Sequence, residues 1–292
     1  MMTSNVPAVE LARPVEYKFG HQAESSLNNS VARYDESLAR AADGKRMRPD
    51  RFVRYSRNIG FYSVCLGNRS EAEGYFRRES WFRRVGFLLG SLSEGENLTF
   101  LAPDADTSLT FDAVLHESKC STWVHAVVLA STFNDADTLD AALGFQKLTT
   151  LDETYSTLEE PRAAVYRALF GDAEDVDEVL QSALLSTDPT GMYSGLAEYA
   201  MVRLLPEYRL IEAILGGNQT EFDNAVVAVH EAHVQWYSAV SEEGEPRYGN
   251  IEVLVNWELS GLVALALRRG FSAPPQSPYM FTAAPTPEGV EQ

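Results

Sequence analysis

The chain has 292 residues, a hydrophobic content of 45% and a formal net charge of −18 at pH 7. A chain of this length and apolar content can bury a full core, which excludes an intrinsically disordered protein. Its strong negative charge disfavours binding to nucleic acid or to anionic lipid, and it favours a cationic protein as the partner.

The charge is distributed unevenly along the chain. Residues 1–90 carry 15 Lys and Arg against 10 Asp and Glu, whereas residues 91–292 carry 9 against 32. The chain begins without the basic stretch and apolar run of a secretory signal. No apolar run approaches the roughly 20 residues that a membrane-spanning helix needs. We therefore expect a soluble, cytoplasmic protein that binds its partner through its acidic region.

Three helices are predicted in the basic N-terminal region. Apolar residues recur three and four positions apart over residues 22–42 and 48–66, which places one apolar stripe of each helix toward a core. A third helix over residues 70–92 is predicted to begin at Ser70, because Glu73 follows at the spacing of a capping box.

The segment over residues 96–117 interrupts the helical pattern. It fits either a small β-hairpin near residues 97–115 or an extended connection, since the alternation of apolar and polar residues is too short to decide. We place here the boundary between an N-terminal basic three-helix region, residues 1–95, and an acidic helical region, residues 118–292. We expect the two regions to form one compact unit.

Helical periodicity resumes after this connection. Helices are predicted over residues 118–133, 136–145, 159–170, 173–185, 190–215, 220–240 and 251–269. Pro206 should kink or break the helix that contains it, and the proline-rich tail after Gly270 is expected to lie extended over the surface. The predicted fold class is mainly α, either a multi-helix bundle or an irregular helical-repeat-like array.

Two sets of residues invite a metal-site interpretation. His230-Glu231-Ala232-His233 is similar to a zincin motif, but that motif needs its histidines four residues apart and here they are three apart. We interpret this pair as a core or interface pair. A site formed by His116, Cys120 and His125 would lack the paired cysteines of a zinc-binding motif.

Two acidic stretches are similar to the metal-binding motifs of helical enzymes such as terpene cyclases. In Asn134–Thr138 the motif is incomplete, because Ala142 stands where its closing glutamate is required. Asp172–Glu178 lacks the aromatic residues that frame such motifs. We interpret both stretches as solvated helix ends, where acidic side chains stabilise the first turn.

The arginines between Lys45 and Arg84 alternate with aromatic residues, a composition that suits single-stranded nucleic acid. The aromatic residues, however, fall on the predicted buried stripes. We therefore predict no direct nucleic-acid binding and expect these arginines to pair with acidic side chains.

The last predicted helix and the segment after it resemble a known family. Leu262–Phe271 and Ser277-Pro278-Tyr279 resemble the closing segment of the immunity protein 49 family of bacterial polymorphic-toxin systems, and the residues around Trp123 and Leu129 resemble its middle region. The resemblance runs from about Ser118 onward. It implies a cytoplasmic, mostly helical antidote that binds one cognate toxin, performs no catalysis and needs no cofactor.

The resemblance supplies no toxin-binding residues position by position, so we choose candidates by charge and by location at helix ends and loops. They are Asp172, Glu174, Asp175, Asp177, Glu178, Glu242, Glu243 and Glu245. The expected toxin is basic, acts on nucleic acid and is encoded by the adjacent gene. The alternatives are a helical scaffold or adaptor protein and a helical metal-dependent enzyme, and the sequence does not indicate the oligomeric state.

Overall fold

The computed structural model describes residues 11, 16–93, 96–103, 108–112, 118–150, 153–241 and 244–282. The helices are α1 (Ala23–Ala42), α2 (Pro49–Cys65), α3 (Arg69–Gly90), α4 (Cys120–Phe133), α5 (Ala136–Gly144), α6 (Glu153–Phe170), α7 (Val176–Ser186), α8 (Ser194–Tyr199), α9 (Leu205–Gly216), α10 (Gln219–Ser238) and α11 (Trp257–Arg268). The predicted mainly α class is confirmed. Within the described ranges, no helix combines the length and apolar character needed to cross a bilayer.

The segment between α3 and α4 forms the small hairpin that the sequence allowed. Strands β1 (Asn97–Leu101) and β2 (Ser108–Asp112) pair antiparallel, with Asn97 opposite Asp112. Two further short strands, β3 (Ser118–Lys119) and β4 (Leu148–Thr149), pair in parallel beside α4. Phe111 of β2 is fully buried against Phe52 and Phe82, so the hairpin packs on the N-terminal helices.

The buried side chains form two hydrophobic clusters. The smaller cluster lies between α1, α2, α3 and the hairpin, where Phe52 and Phe82 stack with ring centroids 4.6 Å apart. The larger cluster is built around α4 and α11. Helices α2 and α3 contribute to both, because Phe61 and Phe76 on their other faces contact Trp257 of α11.

The first residues of several helices differ from the prediction. Helix α3 begins after Asn68, so Ser70 lies inside the helix and forms no capping box, while Glu73 pairs with Arg77. Helix α6 begins at Glu153, before the predicted start at residue 159, and accommodates Pro161 in its interior. Helix α11 begins at Trp257 and not at residue 251, because the Asn256 side chain caps it by accepting from the Leu259 amide at 3.0 Å.

Pro206 divides the predicted helix over residues 190–215, as expected. The break is a π-helical segment, Ala200–Leu204, between α8 and α9. Proline has no amide hydrogen to donate to a preceding carbonyl, so a local widening of the helix before it is a natural response.

The expectation of a surface tail is wrong for residues 279–281. Tyr279, Met280 and Phe281 are buried, and the Phe281 ring packs against Phe76 and Trp257. Backbone hydrogen bonds anchor the segment, since the Asn256 amide donates to the Tyr279 carbonyl at 2.7 Å. The prolines prevent a helix, but the three apolar side chains still favour burial.

Candidate functional site

The first group of predicted contact residues lies on the turn that joins α6 to α7. Asp172 has a left-handed backbone with φ 49°. Its carboxylate accepts a hydrogen bond from Nη2 of Arg269 at 3.1 Å, yet 87% of the side chain remains exposed. Nη2 of Arg269 also donates to the Leu169 carbonyl, so the turn is fixed to the end of α11. The contacts with Arg269 thus hold this exposed turn in place against the end of α11.

The other four acidic residues of this group lie before and within the first turn of α7. Glu174, Asp175, Asp177 and Glu178 are all exposed. Across the described chain, none of them forms an ion pair with Lys or Arg. Negative charge near a helix N-terminus stabilises the helix. Because these carboxylates are exposed, their electric field extends into the solvent.

The outward face of α7 continues this acidic turn with one apolar side chain. Residues 177, 178, 181, 182 and 185 are exposed and recur at helical spacing, so they form one face. Leu185 on this face is 78% exposed. We call residues 172–186 the α7 surface, because it joins exposed carboxylates to an exposed leucine.

The second group of predicted contact residues is described only in part. Glu242 and Glu243 lie outside the described residues. Glu245 is exposed, and its backbone carbonyl accepts a hydrogen bond from the Ser241 amide at 2.7 Å. In the described ranges, no hydrogen bond or ion pair joins Glu245 to the α7 surface.

A polar cavity lies between the N-terminal helices and the acidic region. Its volume is about 370 Å³, and its wall includes side chains from α2, α3, α4, α6, the π-helical segment, α9, α10 and α11. Arginine, glutamate and aromatic side chains dominate the wall. No sequence motif indicates this cavity.

One ion-pair cluster on the cavity wall is centred on Arg162 of α6. Its Nε and Nη2 donate to the two carboxylate oxygens of Glu207 at 2.8 Å each, and Nη2 also donates to Glu258 at 2.9 Å. Burial alone would raise the pKa of Glu258, but Arg162 and Arg203 outweigh it and lower that pKa to about 2. Glu258 therefore stays ionised inside the protein.

A second buried cluster joins α3 to α4. Glu79, which is fully buried, accepts from Nε and Nη2 of Arg83 at 2.9 and 2.7 Å and lies 3.1 Å from Nε2 of His125. Burial alone would raise the pKa of Glu79, but Arg83 and His125 lower it to about 2. Arg57 of α2 pairs with Glu252 nearby.

The histidines of the zincin-like sequence are core residues, as predicted. His230 and His233 are 6% and 1% exposed. Nδ1 of His230 lies 3.0 Å from the Ser277 hydroxyl, and Nε2 of His233 lies 3.0 Å from the Val253 carbonyl oxygen. Among the described residues, no three His, Cys, Asp or Glu side chains are arranged to hold a metal ion. His116 lies outside the described residues, and Cys120 is a buried free thiol.

The acidic motif at the start of α5 has structural contacts. Asp135 caps α5 by accepting from the Thr138 amide at 3.0 Å, and it also accepts from the Ser80 hydroxyl. Asp137 pairs with Arg84 at 2.7 Å. This agrees with the interpretation of solvated helix ends and with the expected pairing of N-terminal arginines with acids.

Sequence signals for the Arg162 cluster exist but are weak. Arg162 lies four residues from both Leu158 and Tyr166, on the buried stripe of α6. Glu258 interrupts the apolar run of α11. A charge on a buried stripe indicates a buried partner, but the stripe does not identify that partner.

Comparison with known proteins gives one family. The family model described as Immunity protein 49 matches residues 78–280, from α3 to the buried C-terminal segment. This match begins within α3, earlier than the resemblance seen from residue 118 onward. It includes the α7 surface and Glu245. No curated protein and no solved structure matches the chain.

Proposed function

The chain belongs to the immunity protein 49 family, and on that premise we propose that it binds a cognate toxin protein and neutralises it by direct contact. The family match over residues 78–280 carries this proposal. We propose that the α7 surface is part of the contact and that Glu242, Glu243 and Glu245 also contact the toxin. The mode of action is binding, without catalysis and without a cofactor.

The charge of the molecule supports a basic partner. The net charge is −18, and the carboxylates of the α7 surface that lie on α7 itself are exposed and unpaired within the described part of the chain. Opposite charge on a partner would accelerate encounter and orient it before contact.

Leu185 supplies the apolar element that a charged surface lacks. Stable protein interfaces depend on residues that are buried at the centre of the interface, are often apolar and are surrounded by polar ones. Leu185 shares a face with Glu178, one helical heptad away, so a partner attracted by the acids can cover the leucine.

We propose that the toxin acts on nucleic acid and is encoded by the adjacent gene. A catalytic domain that holds DNA or RNA is generally basic along the groove that contacts the phosphates. The acidic N-terminal end of α7 carries negative charge, as phosphate does, and could therefore occupy such a groove in its place.

Charge reversal on α7 tests this proposal. In a complex with the product of the adjacent gene, the triple variant Asp175→Lys, Asp177→Lys, Glu178→Lys should associate more slowly, and its association rate should depend less on salt.

Leu185→Ala should mainly increase the dissociation rate, because it removes an apolar contact. Stopped-flow or surface-based kinetics over a range of salt concentrations measure both effects, and rescue of growth on co-expression measures neutralisation.

The matched control reverses three exposed acids on and just after α1. The triple variant Glu24→Lys, Asp35→Lys, Asp43→Lys changes the net charge by the same amount as the α7 variant. It should slow association less than the α7 variant does. Equal kinetics for the two triple variants would place the contact elsewhere. No rescue and no complex with the wild-type chain would contradict the toxin proposal itself.

A further inference from the structure

We propose that the cavity of about 370 Å³ binds a small organic molecule that carries a carboxylate or phosphate group. The anionic group is held by the N-terminus of α4 together with the buried guanidinium groups of Arg83 and Arg162. This site is separate from the α7 surface, no residue of which lines the cavity. The inference therefore does not depend on the toxin contact.

The first turn of α4 forms part of the cavity wall. Ser121 and Thr122, the second and third residues of the helix, line the cavity. The N-cap residue, Lys119, makes no side-chain capping hydrogen bond. Amide groups in the first turn of a helix have no acceptor within the helix, and the helix dipole gives them partial positive charge. Such a terminus accommodates an anionic oxygen.

Two buried arginines on the wall have unused donors. Arg83 and Arg162 are each 7% exposed, and each makes its hydrogen bonds through Nε and Nη2. Neither Nη1 group has a hydrogen-bond acceptor among the described residues. Neither Nη1 atom is among the fully buried polar atoms that lack a partner, so solvent reaches both. An anionic ligand in the cavity would accept from these donors in place of water.

The balance of charge limits the kind of ligand. Four arginines, Arg57, Arg83, Arg162 and Arg203, are matched by Glu79, Glu207, Glu252 and Glu258. The site therefore attracts an anion through directed donors and not through excess positive charge. This favours a ligand with one anionic group over a polyanion.

The rest of the wall suits an organic body. Trp236, Tyr237 and Tyr199 line the cavity together with the charged groups. Ligand cavities typically measure about 300–1,000 Å³ and combine aromatic walls with a few polar groups.

Isothermal titration calorimetry on the full chain without a toxin tests the site. The probes are inorganic phosphate and butyrate, a monocarboxylate, each at constant ionic strength set with chloride. We expect saturable binding of at least one probe, and the two titrations distinguish a phosphate site from a carboxylate site. Ser121→Glu places a carboxylate where the anion binds and should weaken binding by about tenfold or more, the equivalent of one charge-assisted hydrogen bond.

Two controls separate the site from general effects. The glutamine in the Ser121→Gln variant has nearly the size of glutamate but no charge, so this variant should retain binding. The fold of Ser121→Glu should persist, because an acidic residue in the first turn stabilises a helix, and thermal unfolding checks this.

The double variant Arg51→Gln, Arg54→Gln alters an exposed arginine cluster on α2 and should also retain binding. No saturable binding of either probe would overturn the proposal. Binding that survives Ser121→Glu but is lost in the α2 variant would overturn it as well.

Discussion

His233 has two hydrogen-bond partners that require a neutral ring. Its Nε2 donates to the Val253 carbonyl at 3.0 Å, and its Nδ1 accepts from Nη1 of Arg203 at 3.3 Å. Protonation of Nδ1 would remove that acceptor and place a second positive charge beside Arg203. Burial and the Arg203 charge accordingly lower the pKa of His233 to about 3.

This shift predicts a loss of stability in mild acid. The folded-state pKa lies below the unfolded value of 6.5. The contribution of His233 is therefore complete above pH 6.5 and is lost as the pH falls from 6.5 toward 3. Between pH 7 and pH 5 we expect this residue to cost about 2 kcal/mol of the free energy of unfolding. Urea unfolding at pH 7, 6 and 5 measures it.

His233→Gln serves as the comparison, because glutamine does not titrate. The pKa values of His125 and His230 are also lowered by burial, so some pH dependence should remain in the variant. A slope in the variant equal to that of the wild type would show that His233 is not the group responsible.

Helices α4 and α11 pack closely because Gly261 has no side chain. A Cβ atom at this position would lie 2.6 Å from the Val128 carbonyl oxygen of α4. The Ser131 hydroxyl of α4 donates to the Gly261 carbonyl at 2.7 Å and so fixes the two helices at this point. Because backbone and not a flexible side chain is in the way, the contact cannot relax locally.

Gly261→Ala should therefore destabilise the protein by about 2 kcal/mol, since the helices must separate to accept the methyl group. Gly74→Ala is the matched control within α3. Apart from Gly74 itself, its chain neighbours and the nearby backbone of α3, no described atom lies within 4 Å of a Cβ built at this position, so this change should stabilise by roughly 0.5–1 kcal/mol. Chemical unfolding of both variants measures the difference, and a stabilising Gly261→Ala would contradict the close packing.

The N-terminal helices and the acidic region are joined by both buried and partly exposed contacts. Phe76 of α3 lies edge-on to Trp257 with ring centroids 4.6 Å apart. Glu79 of α3 accepts from His125 of α4, and Arg57 of α2 pairs with Glu252. We propose that residues 1–95 and 118–292 fold as one unit, with the hairpin connection between them.

A fragment of residues 118–292 should then fail to unfold cooperatively. Its removal from the N-terminal helices exposes Trp257 and leaves buried polar groups without partners. Near-ultraviolet circular dichroism and thermal scans of the fragment and the full chain make the comparison. A cooperative transition with an ordered aromatic signal in the fragment would instead indicate an independent domain.

Much of the secondary structure follows from the sequence because its signals are local. The apolar spacing of α1, α2 and α10, the break at Pro206 and the stop at Gly270 each depend on residues within one or two turns. The start of α3 at Arg69 and not at Ser70 shows the limit of such signals, since the capping-box spacing of Ser70 and Glu73 occurs where no capping box forms. The acidic character of the α7 surface was also evident from composition.

The sequence by itself determined a mainly α protein, the position of the interruption after α3 and the exposure of the acidic residues 172–178, while the structure decided that the interruption is a hairpin. Only the tertiary structure decided that Arg162 meets Glu207 and Glu258, that Glu79 meets Arg83 and His125, and that Tyr279–Phe281 are buried. The physical reason is distance along the chain. Periodicity shows which face of a helix is buried, whereas the partner of a buried charge depends on which faces meet in three dimensions.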